Sequence, residues 1–371
     1  MLRRTAVAIT ACATVWWIDG CAAARDHEVH AASVVYVRTD TDATTIVSPT
    51  VQASGKAAES VDLNASYTVD AWSGASIDVV SAATHTIRER RQEGQVGLGY
   101  DDGTTRLNGR YRLSYEHDYQ SHGLVVGASR DVAKHNTTLS ANLMTSFDIA
   151  GRAGDKAFAQ DLYSVGLRLG LSQTLDPWTV IDLSIEATTL QGYQASPYRW
   201  VAVGGDGVCA HGAPFCLPEL VPDDRLRSAA GARLRHAVGE RASFGLDYRF
   251  YLDSWSIQSH TVEPSVTVLT GETSSLAFHY RYYAQSEASF YRPRYFDFGD
   301  AGGYLTRDRK LSAFYGNEVG VAYGRTWELE DSERVVELGL RASLSRLTYL
   351  AYVGLDSVDA AELTTLVGLT F

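Results

Sequence analysis

Side chains able to do chemistry crowd two places in this sequence. The first is Val69 to Thr84, VDAWSGASIDVVSAAT, where Asp70, Ser73, Ser76, Asp78 and Ser81 precede His85. Ser, His and Asp are the residue types of a hydrolytic triad, in which a base activates a hydroxyl and a carboxylate orients the base. The spacing of a nucleophile elbow is missing, and the same residues suit a loop held by side-chain to backbone hydrogen bonds. The second place is a series of charges recurring at every other position: Glu89, Arg91 and Glu93; Arg106, Arg110, Arg112 and Glu116; Arg233 and Arg235; Asp247 and Arg249; Glu337 and Arg341. Charges of mixed sign around one axis can line an ion-selective passage, or pair off and fill it.

Smaller constellations say less. Of four cysteines, Cys12 and Cys21 fall in the N-terminal apolar region, leaving Cys209 and Cys216 in CAHGAPFC. In an exported chain these two are expected to form a local disulfide. His211 lies between them without the further ligands a metal site needs. DHEVH, Asp26 to His30, reads as a solvated terminus. GGDG, Gly204 to Gly207, lacks the Lys and Ser/Thr of a phosphate loop, and DDGT, Asp101 to Thr104, suits a hairpin turn better than a calcium loop. YRPRYFDFGDAGGY, Tyr291 to Tyr304, sets aromatics beside Arg, a combination that stacks on rings and holds anions. No cofactor is implied.

The elements that must carry these residues are strands. Val61, Leu63, Ala65, Tyr67 and Val69 alternate with Asp62, Asn64, Ser66, Thr68 and Asp70, and Phe244, Leu246, Tyr248 and Phe250 alternate with Ser243, Asp247 and Arg249. Helical periodicity is almost absent beyond residue 30. A coarse map gives sixteen strands at 31–38, 44–54, 60–70, 87–100, 104–117, 120–131, 136–149, 159–174, 178–191, 225–237, 241–252, 258–270, 274–285, 309–327, 334–349 and 358–371. Many exceed the five or six residues usual in soluble sandwiches and suit a tilted bilayer crossing of about nine to eleven. Every second link is short (SGKAAES, DDGT, VAKHN, LDPW, VGER, TGET, LEDSE), whereas the longer ones, near 71–86, 150–158, 192–224 and 286–308, fall between them. Short turns on one side and long loops on the other describe an all-β, antiparallel transmembrane barrel with periplasmic turns and extracellular loops. The oily parity of Thr105 to Tyr119, with Leu107, Tyr111, Leu113, Tyr115 and Tyr119, is expected to face lipid, and its Arg-rich parity the lumen. Tyr115, Tyr119, Tyr280, Tyr282, Trp178 and Trp327 are expected to form interfacial girdles.

The bulk numbers agree. The 371 residues include 21 Tyr, 7 Trp, 32 Gly and 8 Pro, with 45% hydrophobic and 21% charged residues. A mean hydropathy of -0.14 argues against a helical membrane protein. The net charge of -11 argues against nucleic-acid binding. Arg3 and Arg4, the apolar run Thr5 to Ile18 and Ala22 to Ala24 read as an export signal over residues 1–24, leaving 25–371 as the barrel domain; the competing reading makes Cys21 of IDGC a lipidation site. At the other end, ELTTLVGLTF is an alternating strand closed by Phe371, which resembles the terminal signal that outer-membrane barrels present to the insertion machinery of Gram-negative bacteria.

VDAWSGASIDVVSAAT, with ERRQEGQVGLGY and YRLSYEHDYQS downstream, resembles an uncharacterised family of bacterial outer-membrane barrels described as a domain of unknown function. The resemblance implies the barrel fold, an outer-membrane location and, through neighbouring genes, periplasmic redox or lipoprotein partners. It carries over no catalytic residue. The expected function is passage or export of a small solute or ion, with loops 192–224 and 286–308 as constrictions. A non-conducting anchor or docking platform is the alternative. A hydrolase using Ser76 or His85 comes third.

Overall fold

The computed structural model describes residues 29–74, 87–204, 209, 215–329 and 334–371. The proposed export signal, Cys21, Ser76, Asp78, Ser81, His85 and His211 lie outside them. The described strands are β1 (Val29–Asp40), β2 (Thr44–Ala58), β3 (Val61–Gly74), β4 (Ile87–Asp101), β5 (Thr105–Tyr115), β6 (Tyr119–Val132), β7 (Thr137–Arg152), β8 (Asp155–Asp176), β9 (Thr179–Gly192), β10 (Trp200–Val203), β11 (Phe215–Pro218), β12 (Asp224–Val238), β13 (Ala242–Asp253), β14 (Gln258–Leu269), β15 (Ser274–Gln285), β16 (Phe314–Glu328), β17 (Val335–Tyr349) and β18 (Ser357–Thr370). Sixteen of them form one closed barrel in which each strand pairs antiparallel with its neighbours along the chain, while β10 and β11 make a separate hairpin in the loop after β9.

Closure comes from β1 against β18, in continuous register from His30↔Thr370 to Asp40↔Ala360. Val29 and Phe371 extend it by exchanging backbone hydrogen bonds of 2.8 and 3.0 Å. Closure leaves no edge strand exposed to hydrocarbon, and the ladders are interrupted only locally, at Pro49 of β2 and Pro264 of β14 among other described positions. Alternation sets the faces: Val96 and Leu98 of β4, Leu107 and Tyr111 of β5, and Leu183 and Ile185 of β9 all stand exposed on one face. The intervening positions carry the charges.

The turns follow their chemistry. In DDGT, Asp101 Oδ1 accepts the Gly103 N–H, Asp102 Oδ1 accepts from Thr104 and Thr105, and Gly103 takes φ +84°, a conformation cheap only for glycine. At the far end of β9, Gly192 adopts φ +118°, and a Cβ there would sit 2.2 Å from the Asp161 carbonyl oxygen. This glycine launches the chain from the barrel into its longest loop.

Three local expectations are corrected. Tyr119 does not share a face with Tyr115: Tyr115 pairs with Gln120, the even number of residues between them shifts the phase, and Tyr119 opens β6 on the charged parity. The link near 150–158 is not a long loop. Gly154, at φ +82°, closes a two-residue turn, and an Arg152–Asp155 ion pair of 3.0 Å with Arg152 stacked on Phe158 steadies the extended hairpin. The strand placed at 309–327 begins only at Phe314, because Asp308 caps a 3₁₀ turn at Arg309–Leu311 that buries Leu311. Tyr115, Tyr280, Tyr282 and Trp178 are exposed aromatics.

The Cys209–Cys216 disulfide ties the hairpin of β10 and β11. Cross-linking so short a loop removes only roughly 2.5 kcal/mol of unfolded-chain entropy, all of it local. Reduction is therefore expected to leave the heat-modifiable migration of the barrel on gels unchanged while speeding protease cleavage within the hairpin.

Candidate functional site

Ion pairs line the charged face. Arg91 reaches Asp70 at 2.5 Å, Arg106 reaches Asp131 at 2.7 Å, and Arg112 spans Glu93 at 3.4 Å and the Ser121 hydroxyl at 3.1 Å. Arg235 grips Asp247 with both terminal nitrogens while Arg233 approaches the same carboxylate at 3.6 Å. Across the seam Arg38 meets Glu362 at 3.0 Å, and Glu318 gathers His279, Arg281 and Arg341 within 3.9 Å. Arg249 lies 5.7 Å from the Tyr251 ring, Glu116 sits in the turn after β5, and Arg110 and Glu89 make no ion pair among the described residues. The side chains of Arg91, Arg106 and Arg112 in these pairs keep 40, 43 and 38% of their surface in solvent.

Packing concentrates instead at the long-loop end. One buried cluster joins Val221, Trp255, Ile257, Phe290, Tyr291, Leu311 and Tyr352; a second joins Val201, Val203, Tyr295 and Leu305. The segments between β9 and β12 and between β15 and β16 thus fold onto each other. Leu220 and Leu305 exchange backbone hydrogen bonds of 3.0 and 2.8 Å, and the Tyr295 hydroxyl donates to the Phe290 carbonyl at 2.9 Å while accepting the Thr306 N–H at 3.1 Å. Of the aromatic residues from Tyr291 to Tyr304, Tyr291 and Tyr295 are packed interior, whereas Phe296, Phe298 and Tyr304 stand exposed, as does Arg294.

The polar centre of this cap is Glu219. Arg199 donates to both its oxygens at 3.0 and 2.9 Å, Thr306 donates at 2.6 Å, and the Ser196 N–H at 2.6 Å. Burial, the largest influence, nonetheless holds its carboxyl above the usual carboxylate range. The folded cap therefore takes up a proton more readily than the unfolded loop. Stability from this group is fully present at and below the ordinary carboxylate pKa and is lost as pH rises through the raised one. Protease cleavage of loop 193–223 is expected to be faster at pH 8 than at pH 5, and Glu219→Gln should flatten that dependence.

Outlying contacts stretch the cap over the mouth. Tyr198 donates to Asp118 in the turn after β5 and accepts the Ala153 N–H at 2.6 Å. Arg309 pairs with Asp42 in the turn after β1, whereas the next two residues, Lys310 and Leu311, line a cavity with Leu162, Leu190, Arg225 and Arg227 of β8, β9 and β12. In the ring of sixteen, β9 stands eight strands from β1, diametrically opposite. Arg309 thus ties the loop between β15 and β16 to the turn after β1, while Gln285 at the end of β15 holds the Lys310 and Ser312 carbonyls at 2.9 and 2.8 Å. A larger hollow of about 610 Å³ lies elsewhere, bordered by Asn317, Val319, Leu344 and Ala361 of the apolar parity and edged by the Arg346–Asp359 pair. It is a lipid-side crease.

Arg225, Arg227, Asp253, Arg199, Glu219, Arg309 and Asp42 are absent from the charges singled out in the sequence. Arg225 and Arg227 share the odd parity of Arg233 and Arg235 in DRLRSAAGARLR and were legible there. Glu219 is an isolated acid in a loop and offered no signal. Among the described residues no group of His, Cys, Asp and Glu could hold a metal ion.

The profile of the family "Protein of unknown function (DUF3570)" matches residues 80–162 and 154–337, well over half of the chain. The chain belongs to this family. No curated protein matches the sequence. Among solved structures, CdiB from Acinetobacter baumannii aligns at TM-score 0.51 and 10% identity, over 91% of this chain and 60% of that one. A bacterial polysaccharide outer membrane secretin aligns at 0.49 and 8% identity, over 93% and 98% of the two chains, and the outer membrane protein OprD from Pseudomonas aeruginosa at 0.46 and 8%, over 94% of each. Identities this low speak to the fold alone. This DUF3570 member is a sixteen-strand outer-membrane β-barrel.

Proposed function

We propose that the barrel is a passage for a small solute or ion across the outer membrane, narrowed at its mouth by segments 192–224 and 286–308, and that it is not an enzyme. In this reading residues 1–24 are the export signal, 25–371 the barrel domain and Phe371 the signal read by the insertion machinery. Glu89, Arg91, Glu93, Arg106, Arg110, Arg112, Glu116, Arg233, Arg235, Asp247 and Arg249 face the lumen and the entrance to it. The observation that carries the reading is the solvent exposure of ion-paired arginines on the polar face. A plugged interior would cover those guanidinium groups, whereas an aqueous lumen hydrates them. Sixteen strands leave enough width for such a channel.

The test is reconstitution in a planar lipid bilayer. Stepwise conductance increments are expected as single barrels insert. Insertion verified by heat-modifiable migration, yet without current steps, would remove the passage and favour the second reading. In that reading the packed cap closes the barrel, which serves as a docking platform for surface or periplasmic partners.

A further inference from the structure

Beneath the cap lies a cavity of about 360 Å³, within the range of small-molecule sites. Its wall comes from both the barrel and the loop between β15 and β16. On the barrel side are Arg225 and Arg227, and Lys310 enters from the loop. Arg225 is already engaged: it pairs with Asp253 and lies 4.0 Å from the centre of the Trp255 ring. Arg227 is not. Among the described residues it has no hydrogen bond or ion pair, and its Nε is buried without a partner. The Lys310 ammonium likewise has no carboxylate among the described residues.

Asp253 stands opposite Arg227 in the β12–β13 register but is bonded to Arg225, and a partly buried guanidinium with no hydrogen-bond partner of its own is costly unless something completes it. The nearby acids cannot. Glu219 is taken by Arg199, Thr306 and Ser196, Asp308 caps its own turn and faces Arg199 at 3.4 Å, and Asp253 holds Arg225 while accepting the N–H groups of Trp255 and Ile257. With Glu219 ionised, four cations, Arg199, Arg225, Arg227 and Lys310, thus stand against three carboxylates, Glu219, Asp253 and Asp308, leaving one positive charge in excess. The rest of the lining is Gln194, whose amide nitrogen is spent on the Pro222 and Asp223 carbonyls, and an apolar wall of Leu162, Leu190, Val221, Trp255 and Leu311.

We propose that this cavity binds an organic monoanion: a carboxylate held by Arg227 and Lys310, with an apolar body lying against the leucines. A doubly charged ligand would overrun the single excess cation, and a bare inorganic ion would leave the apolar wall wet. The inference goes beyond passage, because a closed barrel would hold the same ligand.

The probe is 3-phenylpropionate, with 3-phenylpropionamide and acetate as controls, titrated calorimetrically into the full chain in detergent micelles. Saturable binding of the carboxylate, at least tenfold tighter than either control, is expected. Arg227→Gln should weaken it on the order of tenfold to a hundredfold, the worth of a hydrogen bond to a charged group, while leaving heat-modifiable migration intact because Arg227 holds no internal partner. Equal affinity for the amide or for acetate would overturn the proposal, as would undiminished binding by a folded Arg227→Gln. If that variant does not fold, the thermal midpoint of the unaltered protein decides: a rise with phenylpropionate and none with the amide supports the site, and equal shifts sink it.

Discussion

Replacing both Tyr291 and Tyr295 with alanine is expected to release the cap and raise single-channel conductance several-fold. Both rings are only 2% exposed, one in each of the two buried clusters, and between them they account for most of the aromatic volume that fastens loop 286–313 to its neighbours. Truncating a buried aromatic costs about 3–5 kcal/mol. The Tyr295 hydroxyl also satisfies the Thr306 N–H and the Phe290 carbonyl, so its loss strands buried backbone groups. The barrel wall pairs independently of these contacts, so heat-modifiable migration should persist. Release of the loop, seen as new protease cleavage between residues 286 and 313, with conductance unchanged would show that the cap does not obstruct the opening.

The second large effect separates the two faces of a strand. Ile185 lies midway along β9 on the apolar parity, in register with Leu169 and Ala230. Ile185→Arg is expected to destabilise the assembled barrel by about 2–4 kcal/mol, the cost of a cation at the bilayer midplane. Ser184, one residue away, points to the other side between Gly170 and Gly231, where room is plentiful. Ser184→Arg should fold normally and lower the conductance. Urea titrations in lipid vesicles read the first effect and bilayer recordings the second. Equal destabilisation by the two substitutions would mean that the faces have been assigned wrongly.

The strands were legible because their signals are local. Alternation over ten or more residues and turns such as DDGT identify a hairpin without knowledge of the remainder, and all sixteen barrel strands overlap sequence-derived segments, with bounds that differ most at β8 and β16. Phase across a turn was less secure. Counting straight through the turn put Tyr119 on the wrong face, since an even number of residues between paired positions, here the four between Tyr115 and Gln120, inverts parity. The cap was illegible for a different reason: its defining contacts are distant in the chain, Thr306 with Glu219 across 87 residues and Arg309 with Asp42 across 267. Nothing in Tyr291 to Tyr304 marks two of its tyrosines as interior, because burial there depends on Val201, Val203 and Trp255. Arg225 and Arg227 were readable from parity and became prominent only once the cavity gave them a setting.

The cap has a mechanical consequence. A thin-walled cylinder resists stretching along its hydrogen-bonded hoops but ovalises easily, and a brace fixed to several points of one rim removes that freedom at that rim alone. The packed loops are such a brace: Arg309 ties them to Asp42 after β1, and Tyr198 ties them to Asp118 after β5. The outer rim should hold its cross-section while the inner rim breathes, so amide exchange along each strand should quicken from the braced end to the free one, and Arg309→Ala combined with Tyr198→Phe should flatten the gradient.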